Sequence, residues 1–260
     1  MTQNLPALVL GAVAVALAIA LGWFARTFLW RRGLGRKQRF FGLPQHSECL
    51  MVVNRDAATA EWSVIRNDVF ALLELSAVVK ECGANADVIS HDMAQQGFGE
   101  RTEFCIGGPV SNRRMAAHLQ SLLPGVRIDT ETGNSPDRGA FTIGGERHLL
   151  EPGVREHVLL ARLTAGQGDT ARPVFLICGQ RSVTHQAAAR HLARHHDQLT
   201  RRYGANGNFC VLLRVVNSQA YGADVVELVA DVTRAATAPP PASPADPDAG
   251  GRRGSHRAKS

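Results

Sequence analysis

Residues 5–24, LPALVLGAVAVALAIALGWF, run without a single charge, and no other feature restricts the chain as strongly. As a helix this run rises about 30 Å at ~1.5 Å per residue, enough to cross the hydrocarbon of a bilayer. A cleavable secretory signal is the competing reading. Such signals begin with a positive n-region, and residues 1–4, MTQN, hold no Lys or Arg. The charge comes afterwards, in RTFLWRRGLGRKQR, with Trp23 and Trp30 at positions suited to interfacial aromatics. The sequence thus predicts one transmembrane helix over residues 1–25 and a basic juxtamembrane segment over 26–44. The positive-inside rule puts the N-terminus outside and all that follows in the cytoplasm, as in a single-pass cell-membrane protein. Arg26, Arg31, Arg32, Arg36, Lys37 and Arg39 are expected to meet anionic lipid headgroups, at about 1 kcal/mol for each basic residue near the surface.

The chain carries 29 Lys and Arg against 23 Asp and Glu, a net charge of +6. This excess sits at the ends, in the six residues just named and in Arg252, Arg253, Arg257 and Lys259. The middle is close to neutral and lacks the clustered cations that a nucleic-acid face needs to displace counterions from phosphates. The five cysteines are scattered, odd in number and free of CxxC spacing, which suits buried thiols in a reducing compartment and argues against a zinc site.

Between residues 45 and 236 the pattern alternates. CLMVV reads as a buried strand, NDVFALLELSAVVKECGA as a helix, and ADVIS and EFCIGG as further strands. A helix follows from Asn112 to Pro124-Gly125, and VRI is a short strand. AFTIGGERHLL reads as a hairpin turned at Gly144-Gly145, and EHVLLARL as an antiparallel partner of VFLIC through the TAGQGDTARP loop. The helix THQAAARHLARHHDQLTRRY, the strand NFCVLLRVV and a last helix near ADVVELVADVTRAA complete the domain. The expectation is an α/β domain with a Rossmann-like, mainly parallel sheet and an antiparallel hairpin excursion. Residues 237–260, rich in Pro, Ala, Gly and Arg, read as a disordered tail.

Two strand ends share a construction. FCIGGPVSNRRMAAHL and FLICGQRSVTHQAAARHL each pass from an apolar strand through Gly to Ser and Arg, and then into an Ala-rich helix. Gly permits close backbone approach, and a helix start offers unpaired N–H groups and a positive dipole end, so such a turn can cradle an anion. It can equally be only a tight turn, because GGPVSN matches neither the dinucleotide fingerprint nor the Walker loop. Arg113 and Arg114 favour the cradle: they oppose the dipole of the helix they open, and no acid in that turn offsets them. Arg181 repeats the arrangement. The candidate ligand-binding residues are therefore Gly107, Gly108, Ser111, Asn112, Arg113, Arg114, Gly179, Gln180, Arg181 and Ser182, provided both loops face one crevice at the ends of the strands.

Other chemistry-bearing residues are fewer. His191 and His195 stand four apart on a helix but lack a metalloprotease Glu and a third ligand, so a solvated basic face is expected there and no metal. Asp92, after the ADVIS strand, and Glu103 are candidate general bases or oxocarbenium stabilisers. Cys105 and Cys178 lie inside apolar strands, away from any base that would activate them.

The anchor followed by FCIGGPVSN, FLICGQRS and DVVELVADVT resembles membrane-anchored proteins of high-GC actinobacteria over most of residues 45–236. The resemblance implies a Rossmann-like cytoplasmic domain behind the anchor and carries no established activity. The strand-end glycines are similar, in a general way, to those of lonely-guy-type and TIR-type nucleotide-binding domains. GGPVSN and GQRS do not reproduce the diagnostic motifs of those families, so no catalytic residue carries over. Three functions remain open: a membrane-tethered sensor or signalling module for a phosphate-bearing, nucleotide-like ligand; an enzyme acting on a nucleotide or nucleoside glycosidic bond; and a ligand-free interaction platform with no crevice. The sequence specifies no cofactor.

Overall fold

The computed structural model describes residues 5–54, 63–93, 99–130, 137–164 and 171–239. The proposed tail from residue 240 onward, and residues 165–170 of the polar loop, lie outside the described residues. The chain opens with a continuous helix, α1 (Leu5–Phe41), long and apolar enough to cross a membrane. The basic segment is part of this helix, and its end enters the core. Phe40, Phe41 and Leu43 are fully buried, so packing begins ahead of residue 45, where the sequence pattern starts the domain.

Seven strands form the central sheet: β1 (Glu48–Val53), β2 (Asn85–Ser90), β3 (Thr102–Ile106), β7 (Arg155–Thr164), β8 (Pro173–Gly179), β9 (Phe209–Val216) and β10 (Val226–Asp231). Their order is β10-β9-β7-β8-β3-β1-β2. Strands β2, β1, β3 and β8 are mutually parallel, and β7 lies antiparallel between β8 and β9, as does β10 against β9. Five of the seven strands therefore point one way, in a mixed but mainly parallel sheet. The expected EHVLLARL–VFLIC pairing is present, with Leu160 opposite Ile177.

Alternation along each central strand separates two cores. On one face Met51, Val53, Phe104, Ile106, Phe175 and Ile177 pack against α2 (Arg66–Glu81), α4 (Ser182–Tyr203) and the end of α1. On the other, Leu50, Val52, Cys105, Leu176 and Cys178 pack against α3 (Arg113–Leu122) and the hairpin strand β5 (Phe141–Ile143). The hairpin pairs β5 with β6 (Glu146–His148) through Gly144 and Gly145, both at positive φ, and β4 (Val126–Ile128) adds a third strand to this small sheet. A two-residue turn with both residues left-handed matches the twist of a hairpin, which explains the Gly-Gly pair.

The last expected helix is corrected. Val226–Asp231 forms the edge strand β10, and only Thr233–Thr237 (α6) is helical, with a four-residue α5 (Ser218–Tyr221) before it. VVELVAD is short and rich in β-branched residues, and β9 without it would be an unpaired edge. The register shift between Leu228 and Ala230 is an irregularity of the kind common at sheet edges.

The end of α1 is fastened at the sheet edge where β3 and β8 begin. Thr102 Oγ1, in the first residue of β3, donates to the carbonyls of Phe41 (3.2 Å) and Gly42 (2.8 Å). Gly42 has φ +64°, and a Cβ there would lie 2.4 Å from Pro173 Cδ, at the start of β8. The buried Arg162 donates from Nε to the Phe40 carbonyl at 2.9 Å and from Nη1 to the Gly207 carbonyl at 3.1 Å. A cation on the last carbonyls of a helix also complements its dipole. Burial lowers the Arg162 guanidinium to about 10.

Candidate functional site

Strands β3 and β8 are neighbours, with Ile106 opposite Ile177, so the loops that follow them lie side by side. Gly107 N donates to the Ile177 carbonyl at 3.0 Å, and a Cβ on Gly108 would sit 3.6 Å from the Gly179 carbonyl oxygen. Both loops line one cleft of about 730 Å³ at the C-terminal ends of β1, β3 and β8. Of the ten sequence candidates, Gly108, Ser111, Gly179, Gln180, Arg181 and Ser182 line it.

Arg113 and Arg114, which favoured an anion cradle in the sequence, do not share this cleft. Arg114 forms a bidentate pair with Glu103, Nε to Oε1 at 3.0 Å and Nη2 to Oε2 at 2.6 Å. The acid that offsets the helix dipole is therefore present, supplied by the neighbouring strand instead of the helical turn. Arg113 points into solvent outside the cleft. Asn112 is a cap: Oδ1 accepts from Met115 N (3.0 Å), and Nδ2 donates to the Ile106 carbonyl (3.0 Å). Gly107 is required by packing, since a Cβ at its φ of +130° would meet Asn54 Oδ1 at 2.3 Å. At Gly179 a Cβ would meet Thr184 Oγ1 at 2.0 Å and His185 Cδ2 at 2.7 Å. These two glycines make room for the protein's own side chains; only Gly108 leaves open space on the cleft side.

On the second loop, Gln180 ties three segments together: Nε2 donates to the carbonyls of Gly139 (2.8 Å) and His148 (3.0 Å), and Oε1 accepts from His157 N (2.7 Å). Arg181 is half exposed and pairs with the fully buried Glu156, Nη1 to Oε1 at 2.8 Å. Among the described residues no N-cap side chain bonds to the start of α4 or α2, and the first turns of both helices line the cleft. Ser182 Oγ accepts from Asn67 at 3.3 Å, and Ser111 Oγ from Asn54 Nδ2 at 2.9 Å.

Three buried polar residues of the cleft were missed by sequence reasoning. Asn54 follows β1, Asp68 lies in the first turn of α2, and His185 in the first turn of α4. His185 Nδ1 is 2.7 Å from Asp68 Oδ1, and both residues are buried. Asn54 Oδ1, Asp68 Oδ2 and His185 Nε2 have no hydrogen-bond partner among the described residues. For Asn54 a signal existed: it ends a strand parallel to the two that were recognised. Asp68 and His185 meet only through the packing of α2 on α4.

The carboxylates expected to serve catalysis lie elsewhere. Glu103 is buried in β3 and outside the cleft, held by Arg114 and by His118 Nε2 at 2.7 Å from Oε1. Burial raises its carboxyl, but the hydrogen bonds from His118 and Arg114 outweigh this and leave it below its ordinary value. Asp92, in the turn after β2, accepts from Ser90 Oγ and also lies outside the cleft. Ligand atoms of Glu103, Cys105 and His118 fall within 4.8 Å of one another. Both Glu103 oxygens are already occupied, and burial keeps the proton on Cys105, so this group fits an ion-paired network better than a metal centre. His191 and His195 stack at 4.3 Å and are half-buried, not solvated; burial lowers His191 to about 4, and His195 Nδ1 lies 3.0 Å from the His191 carbonyl.

The chain matches no family model, no curated protein and no solved structure. The cleft is therefore what bears on its function.

Proposed function

We propose that this is a single-pass membrane protein whose cytoplasmic α/β domain binds a phosphate-bearing small molecule as a sensor or signalling module. The observation that carries the reading is the meeting of the two glycine loops and two helix N-termini without N-cap side-chain bonds in one cleft. Helix N-termini favour anions, and in open α/β sheets ligands settle at the C-terminal ends of strands. Arg138 and Arg181 line the cleft beside Asp68 and Asp129, and Arg181 is paired with Glu156, so the N-terminus of α4, which has no acid in its first turn, is what favours an anion. A volume of about 730 Å³ suits a mononucleotide-sized ligand. A crevice is what the platform reading excludes, and the glycosidic-bond reading loses Glu103 and Asp92, neither of which reaches it.

In this reading residues 5–24 lie in the bilayer and the basic flank lies inside, by the positive-inside rule. Because α1 stays helical, Arg26, Arg31 and Arg32 fall within about 12 Å of the end of the apolar run, at ~1.5 Å per residue, inside the headgroup layer of roughly 6 Å plus one screening length of about 8 Å. Arg36 and Arg39 stand about 18 Å or more away, beyond the ~8 Å screening length, and Lys37 pairs with Glu81 on α2. Headgroup contact thus falls to the first three arginines.

The test is calorimetry on the full chain in lipid nanodiscs with ribose 5-phosphate, AMP, pyrophosphate and inorganic phosphate. Binding by the wild type, weakened at least tenfold in Gly108→Leu at unchanged melting temperature, is the expected result. No heat with any of the four overturns the reading.

A further inference from the structure

Buried polar atoms in folded proteins almost always have partners, so a cluster of exceptions at one cleft marks what its ligand must supply. Asn54 Oδ1, His185 Nε2 and Asp68 Oδ2 are such atoms, on residues only 4%, 4% and 0% exposed, and all three residues line the cleft. Their chemistry is uniform. Asn54 donates through Nδ2 to Ser111, so Oδ1 remains as an acceptor. A carboxylate oxygen accepts. Asp68 Oδ1 at 2.7 Å from Nδ1 places an imidazole proton on Nδ1, and in the neutral ring Nε2 is then an acceptor facing away from the carboxylate.

Two of these acceptors bracket the junction of the glycine loops. Asn54 lies against Gly107, and His185 Nε2 is 3.0 Å from where a Gly179 Cβ would be, the two glycines standing on loops that follow neighbouring strands. The ionised oxygens of an anion are acceptors only and satisfy none of them. A single cation cannot bridge His185 Nε2 and Asp68 Oδ2, because the imidazole ring stands between.

We infer that the cleft selects a polyhydroxylated phosphate ester, of the sugar phosphate or nucleotide class, whose hydroxyls donate to Asn54 Oδ1 and His185 Nε2 while its phosphate faces the first turn of α4. This rests on the phosphate reading above and adds the part of the ligand that carries specificity. Asp68 is a positioning residue: it fixes the tautomer of His185.

The discriminating pair of probes is ribose 5-phosphate and n-pentyl phosphate, which share a phosphate and a five-carbon body but differ in hydroxyls. With the full chain in nanodiscs, ribose 5-phosphate is expected to bind at least tenfold more tightly. His185→Phe should abolish that preference, so that the two phosphates bind within twofold of each other. Asp68→Asn should do the same, because the amide can donate to Nδ1 and move the ring proton to Nε2. A readout free of folding effects is the imidazole 15N spectrum of the wild type: the His185 Nε2 resonance should move with ribose 5-phosphate and stay in place with pentyl phosphate. Equal affinity for both probes, or an unmoved Nε2 resonance at saturation, overturns the inference and leaves phosphate binding standing. Binding of neither probe overturns the inference, and the phosphate reading falls with it only when AMP, pyrophosphate and inorganic phosphate give no heat either.

Discussion

Two buried carboxylate–histidine pairs have opposite roles here. Glu103 has every oxygen engaged and stabilises the strand it sits on, whereas Asp68 and His185 leave atoms unpaired beside a cleft. Removing one partner of a buried pair strands the other charge, so Arg114→Met should destabilise the domain by about 3–5 kcal/mol, with most of that loss recovered in the Glu103→Leu/Arg114→Met double variant. Urea unfolding followed by far-ultraviolet circular dichroism measures both. The pH response follows from His157, which burial and the neighbouring His148 lower to about 4, and from His191, lowered to about 4 by burial and His195. An unfolded histidine takes up a proton near 6.5 while these folded ones do not, so stability should be full above pH 6.5 and fall as the pH drops toward 4. His157→Gln should flatten that slope. Burial raises the Cys49 and Cys178 thiols to about 12 and Cys82 to about 11, and pushes Cys105 and Cys210 up as well. A disulfide reagent at pH 8 should therefore label none of the five in the native state and all five in denaturant.

Among elements, those with strong local periodicity were legible: the apolar run of α1, the central strands, and the hairpin at Gly144-Gly145. The edge strand β10 was not, because its apolar residues suit a short helix and a strand alike, and only the open side of β9 decides. The site divided in the same way. Loop residues at strand ends could be placed from sequence, since parallel strands bring their ends together. Arg114 could not, because its partner Glu103 lies on β3, outside the helical turn in which an offsetting acid would be sought. For α1, Gly33 and Gly35 interrupt an exposed stretch of helix, and a Cβ at either would meet nothing within 4 Å. Gly35→Ala should strengthen that stretch by about 0.5–1 kcal/mol, seen as slower amide exchange across residues 30–38.

Over the whole molecule, the fastening of α1 and the cleft occupy opposite edges of the sheet. Thr102, Arg162 and Pro173 hold the helix where β3 and β8 begin, and Asn54, Gly108 and Gly179 form the cleft where β1, β3 and β8 end. With residues 5–24 in a bilayer, the twelve residues of α1 ahead of Lys37, which pairs with Glu81 on the domain, would act as a standoff of about 18 Å, and the cleft would open on the side remote from the lipid. On the reading proposed above, such a tether would set two different dimensionalities for encounter. Copies of the protein would meet one another by diffusion in a plane, but a ligand would arrive from three-dimensional solution, so occupancy would report a dissolved concentration and not the composition of the membrane.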